Sequence, residues 1–215
     1  MKSVTKQKTL EEILKNLEGY NRIYIIGCGT CCTALHTGGR DEVLDMKQKL
    51  EQNGKAVTGW MVIPTPCDDL TKDALEMQAE SVEKADAVLV MACAFGVQTT
   101  SLYTKKPVHP ALDTLFIGKD DGSGGYYEMC LQCGACVLSE TGGICPITAC
   151  PKELLNGPCG GYSHGKCEVD PNRDCAWVRI YQRLKELNRL DRLLAIQSPK
   201  EQSKRAHPRK KAGVA

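Results

Sequence analysis

The chain has 215 residues and a formal net charge of +2, with 42% hydrophobic but only 5% aromatic residues, a length that allows one or two domains and a core packed from small side chains. No run approaches membrane-spanning length and Met1 to Lys8 lacks the apolar stretch of a secretory signal, so no membrane span and a reducing, cytoplasmic setting are expected. The tail 198–215 carries Lys200, Lys204, Arg205, Arg209, Lys210 and Lys211 against Glu201 alone, a net +5 that leaves the body mildly acidic at −3; without a recognised binding fold or interleaved aromatics, nucleic-acid binding is not expected.

Thr9-Leu-Glu-Glu12 is a capping-box pattern, and Leu10, Ile13, Leu14 and Leu17 follow at helical spacing until Gly19. Arg22 to Gly27 reads as a short buried strand, followed by turns and a helix over Asp41 to Gln52. Ala56 to Ile63 repeats the strand. Asp69 then reads as the N-cap of a helix through Lys84. Asp86 to Ala92 is a third strand, with a short helix over Val97 to Thr104, and Thr114 to Gly118 is a fourth strand. Strands alternating with helices imply right-handed crossovers and a parallel sheet. The expected fold is therefore α/β, a small doubly wound domain over 1–119.

Five cysteines fall on that sheet in a pattern. Cys28, Cys31 and Cys32 follow the first strand, Cys67 the second and Cys93 the third, so all belong to the carboxyl edge, where open α/β sheets bind ligands. The expected metal ligands here are Cys28, Cys67, Cys93 and one of Cys31 or Cys32, with Cys32 preferred; small buried residues at strand ends are the plain alternative. Gly27-x-Gly29-x-x-Cys32 approaches a dinucleotide fingerprint but lacks its third glycine and its acidic residue.

Gly118 to Gly125 reads as a flexible connector to a second unit over 120–197, in which Cys130, Cys133, Cys136, Cys145, Cys150, Cys159, Cys167 and Cys175 are set among glycines and prolines. A loop-rich unit without apolar periodicity needs staples, and in a reducing setting clustered cysteines are more often metal ligands than disulfides. Cys130-x2-Cys133-x2-Cys136 with a later Cys-Pro resembles a ferredoxin run and favours [4Fe-4S] over zinc. Eight thiolates suit two cubes, and the sheet edge a third. Zinc in place of one remains open. Trp177, Ile180, Leu184, Leu187 and Leu194 then share one face of a helix over Asp174 to Ile196, and 198–215 reads as a disordered or partner-ordered basic tail.

The strings Cys130-Leu-Gln-Cys-Gly-Ala-Cys136, Thr141-Gly-Gly-Ile-Cys-Pro146, Cys150 through Gly161, Lys166-Cys-Glu168 and Cys175-Ala-Trp177 resemble the cysteine-rich module of bacterial methylenetetrahydrofolate reductases, over about 126–190. With the α/β domain before it, the chain resembles the small iron-sulfur subunit of the acetogen-type enzyme. The resemblance implies a non-catalytic electron-transfer role in one-carbon metabolism beside a catalytic subunit that carries the flavin (FMN), with room for a further electron-donor complex. The residues agree in one respect: no organic catalytic constellation is evident. His36 and His164 lie near cysteines as alternative ligands, and Asp68 and Asp69 read as helix capping.

Overall fold

Two apolar runs too continuous to face water on either side form the centre of a parallel sheet, and a third, half-buried run lies at its edge. The computed structural model describes residues 2–204, and the chain divides into two units at Phe116/Ile117. In the first, β2 (Arg22–Cys28), β3 (Ala56–Ile63), β4 (Ala87–Met91) and β5 (Val108–Pro110) form a four-stranded sheet in the order β3-β2-β4-β5. All its pairings are parallel, with Ile25 beside Trp60 on one side and Leu89 on the other. The chain thus steps outward from β2 to β3 and returns to β4 across β2. That reversal is what makes the sheet doubly wound, and it sets the switch point at the carboxyl ends of β2 and β4.

The connecting helices are α1 (Leu10–Asn16), the short α2 (Cys31–Ala34), α3 (Arg40–Gln52), α4 (Leu70–Met77), α5 (Ala79–Glu83) and α6 (Ala94–Tyr103). Thr9 and Glu12 form the capping box in both directions, at 2.9 and 3.2 Å. Ile13, Ile23, Ile25, Val43, Leu50, Leu89 and Met91 are fully or almost fully buried in one core. The loop before α3 turns back onto the sheet at Gly38, whose carbonyl accepts from Cys28 N at 2.8 Å. A β-carbon on Gly38 would stand 2.0 Å from the Met91 carbonyl oxygen, so only glycine fits there.

Several elements differ from the sequence reading. The fourth parallel strand is β5, not Thr114 to Gly118. Pro107 and Pro110 lack donors and hide the strand pattern, which a sheet edge tolerates. Thr114 to Gly118 lies instead in β6 (Leu112–Asp120), in a second sheet of order β1-β6-β7 with β1 (Lys2–Gln7) and β7 (Tyr126–Glu128). The supposed flexible connector is the turn of the β6–β7 hairpin, where Asp121 Oδ1 accepts from Ser123 N at 2.8 Å and Gly125 N at 3.0 Å. The helix expected through Lys84 breaks at Gln78, and Asp69 is already helical and makes no capping bond; Asp68 accepts from Leu70 N instead, at 3.2 Å.

The second unit holds little regular structure: beyond the β6–β7 hairpin, the described residues form α7 (Pro146–Ala149), α8 (Ala176–Glu186) and two short 3-10 turns, Leu190–Leu194 and Gln202–Lys204. Its buried core is Cys175, Trp177, Ile180 and Leu184. The helix expected through Ile196 stops ten residues early because Asn188 takes φ 54, with Asn188 N bonded to Lys185 O and Arg189 N to Leu184 O at 2.8 Å, a Schellman closure. Leu194 is left exposed. Of the expected basic tail, 205–215 lies outside the described residues. No helix among the described residues is long and apolar enough to cross a membrane.

At the sheet end opposite the cysteines, Asp86 accepts from Arg22 N at 2.8 Å, Arg22 Nη2 at 2.7 Å and Asn21 N at 3.1 Å, tying the starts of β2 and β4. The Arg22 side chain, then its amide, pulls the carboxyl down to about 2. A depressed carboxylate stabilises the fold above its unfolded pKa of about 3.9 and ceases to do so as pH falls through the folded value. The urea midpoints of wild type and Asp86→Asn should therefore differ most above about pH 4 and converge as the pH approaches 2.

Candidate metal centre

Parallel strands deliver their loops to a common edge, and the first cysteine set is there. Cys28 ends β2, Cys31 and Cys32 sit in α2, Cys67 follows β3, and Cys93 is the N-cap residue of α6; Cys28, Cys32 and Cys93 are buried and Cys67 is exposed. These thiols lie close enough to set one another's acidity. A hydrogen bond from Cys32 holds Cys28 well below the ordinary thiol range, so the negative charge settles on Cys28. The same bond, then burial, pushes Cys32 up. Burial first, then the charge of Cys93, Cys28 and Cys31, raises Cys67. The expected ligands thus lie on one sheet edge, and Cys32 rather than Cys31 is the one hydrogen-bonded to Cys28, but among the described residues no three of these side chains converge on one point.

The second unit holds its cysteines on turns. In Cys130 to Cys136, Gln132 at φ 48 and Gly134 at φ 76 curl the backbone so that Gln132 N donates to Cys130 Sγ at 3.3 Å. Cys133 Sγ accepts from Lys200 Nζ at 3.4 Å, and the same ammonium bonds Ala135 O. The Ala135 backbone, with Lys200 behind it, lowers the Cys133 pKa. Lys200 is brought there by Asn156, whose side-chain amide grips Gln197, accepting from its N at 2.7 Å and donating to its O at 2.9 Å. Cys145 is the N-cap residue of α7 and Cys136 is exposed.

Cys150, Cys159, Cys167 and Cys175 line one small cavity of about 20 Å³ with Lys152, Glu168 and Trp177. Cys159 Sγ accepts from Gly161 N at 3.4 Å and donates to Glu168 Oε1 at 3.3 Å; Glu168 also pairs with Lys152. Cys175 is the N-cap residue of α8, and the Trp177 indole donates to Leu154 O at 3.0 Å.

All thirteen cysteines are free thiols, so the donor set is chemically that of thiolate-ligated metal. Among the described residues no three of His, Cys, Asp or Glu converge as the ligands of one ion would. A four-iron cube takes its thiolates at separate corners rather than at one centre, and the chemistry of the donor set, cysteines with backbone N–H donors at Cys130 and Cys159, is of the kind such a group uses. His36 is exposed beside Glu42 and His164 bonds Ser163, both in surface loops at positive φ. Thr5, Thr37, Lys200, Lys152 and Glu168 touch these cysteines or their immediate contacts and were not singled out by spacing, since most of them come from distant segments. In metal-free protein, Lys200→Gln should slow iodoacetamide labelling of Cys133 at neutral pH by up to about fivefold, an exposed ion pair being worth at most about 1 kcal/mol; peptide mass spectrometry reads it.

Residues 109–203 match the model of a protein family described as methylene-tetrahydrofolate reductase C terminal. No curated protein matches the chain. Among solved structures, an ABC transporter substrate-binding protein from Sphaerobacter thermophilus aligns at 20% identity with a TM-score of 0.34, covering 46% of this chain and 27% of that one. Over that stretch, less than half of the chain, the eight-cysteine module and the end of the α/β unit before it resemble the C-terminal domain of methylenetetrahydrofolate reductase.

Proposed function

We propose that this chain is the iron-sulfur electron-transfer subunit of a methylenetetrahydrofolate reductase, exchanging electrons with the flavin (FMN) of a separate catalytic subunit. The observation that carries the reading is that all eight module cysteines, Cys130 to Cys175, fall inside the matched residues 109–203, every one of them free. Cys28, Cys32, Cys67 and Cys93 would hold one [4Fe-4S] cluster and the module cysteines two more. Bound clusters supply one-electron transfer; the chain supplies burial, spacing and N–H donors to sulfur. Cys28, Cys32 and Cys93 are withdrawn from water, whereas Cys130, Cys136 and Cys159 are exposed and put the module's sulfurs near a partner's reach.

A structural zinc site is the second reading: Cys150, Cys159, Cys167 and Cys175 line one cavity little larger than the space of one water, though they do not converge there as the ligands of one ion would. Anaerobic purification with iron, sulfide and zinc analysis separates the two. The expected protein is brown, contains sulfide, and loses visible absorbance in Cys133→Ser. Colourless protein with stoichiometric zinc and no sulfide would overturn electron transfer. Cys67→Ala should cost about four irons and spare the module's signal.

The partner is tested by co-expression. Tagged chain should co-purify with the flavin subunit, and the isolated chain should not reduce methylenetetrahydrofolate even with an artificial donor. Elution as a flavin-free monomer at low salt would sink the proposed role, while an unchanged complex after deletion of Ser198 to Ala215 would remove only the tail from it.

A further inference from the structure

One buried hydroxyl at the sheet edge has its proton left over for a sulfur. Thr5 on β1 is 6% exposed, and its Oγ1 lies 2.7 Å from Thr37 Oγ1 and 3.8 Å from Cys32 Sγ. Each hydroxyl has one hydrogen to give. For Thr37 the neighbours are Thr5 Oγ1 at 2.7 Å and Cys32 O at 3.5 Å, and Cys32 O is already served by the amides of Thr37 and Gly38 at 2.9 and 3.2 Å. The Thr37 hydrogen therefore goes to Thr5, and the Thr5 hydrogen points to Cys32. Gln7 on the same strand fixes the arrangement by donating to Thr37 O at 2.9 Å. The other hydroxyl near these sulfurs is differently employed: Thr30 Oγ1 is 3.7 Å from Cys28 Sγ but donates to Pro64 O at 2.8 Å.

We infer that Thr5, aligned by Thr37, is a positioning residue that donates a hydrogen bond to the Cys32 thiolate and sets the reduction potential of the group held at the sheet edge. The inference rests on the iron-sulfur reading above. A donor to a ligand sulfur stabilises the reduced, more negative state, so it raises the potential. Strand β1 thereby has a chemical task as well as a structural one: it brings a hydroxyl to a thiol 27 positions away in the chain.

The full chain is purified anaerobically as wild type, Thr5→Val, Thr5→Ser and Cys67→Ala, and each is titrated with dithionite while electron paramagnetic resonance is followed. The signal missing in Cys67→Ala identifies the edge group. Thr5→Val, nearly isosteric, should keep wild-type iron and shift that signal to a more negative potential, and Thr5→Ser should restore it. An unshifted potential, or a change that Thr5→Ser fails to reverse, overturns the role of Thr5 and leaves the iron-sulfur reading standing. If Cys67→Ala in the wild-type background loses neither iron nor signal, the cluster at this edge is wrong, and the role of Thr5 falls with it.

Discussion

A parallel sheet has no choice about where its loops go: every strand that runs the same way must release its chain at the same edge. In this protein that constraint turns three sequence-distant segments into one neighbourhood. Cys28, Cys67 and Cys93 are 39 and 26 positions apart along the chain, yet each follows a strand of the same sheet. Because the strand order reverses across β2, the loops after β2 and β4 flank the switch point where open α/β sheets bind ligands. Gly38 holds that edge together, since its missing side chain lets the loop pack directly onto the Met91 carbonyl.

The second unit solves a different problem. Its core cluster has four buried residues, too few to order so much loop by itself. Order comes instead from local geometry: residues at positive φ such as Gln132 and Gly134, backbone amides turned toward sulfur, and side-chain clamps such as Asn156 on Gln197. Loops of that kind present thiols cheaply, because a cysteine on a tight turn can have backbone donors within its own turn.

The apolar runs of β2, β3 and β4 and the Thr9 capping box were legible in the sequence because each is a local signal that tertiary packing reinforces. The strands β1 and β5 were not. Lys2–Gln7 is a mostly polar edge segment and Val108–Pro110 lies beside prolines, so neither shows a core strand's pattern. The C-terminal helix was overextended because its leucines keep a helical spacing past Asn188, where one left-handed residue ends it. At the site, the cysteines declared themselves by type and spacing, and the groups that tune them did not. Thr5 and Lys200 reach Cys32 and Cys133 across 27 and 67 positions, and nothing in a threonine or lysine considered alone forecasts that.

The chain contains two tryptophans, and they are divided between the units. Trp60 packs from β3 against the core of the first, and Trp177 stands in the core of the second, on the wall of the cavity formed by Cys150, Cys159, Cys167 and Cys175. Each indole is thus a private optical label for one unit. With Trp60→Phe or Trp177→Phe, fluorescence follows the unfolding of the two halves separately in a single polypeptide, without cutting the chain. A coloured group bound in the second unit's cavity would dim Trp177, which stands on its wall, so occupancy there can be read from the light the protein already emits.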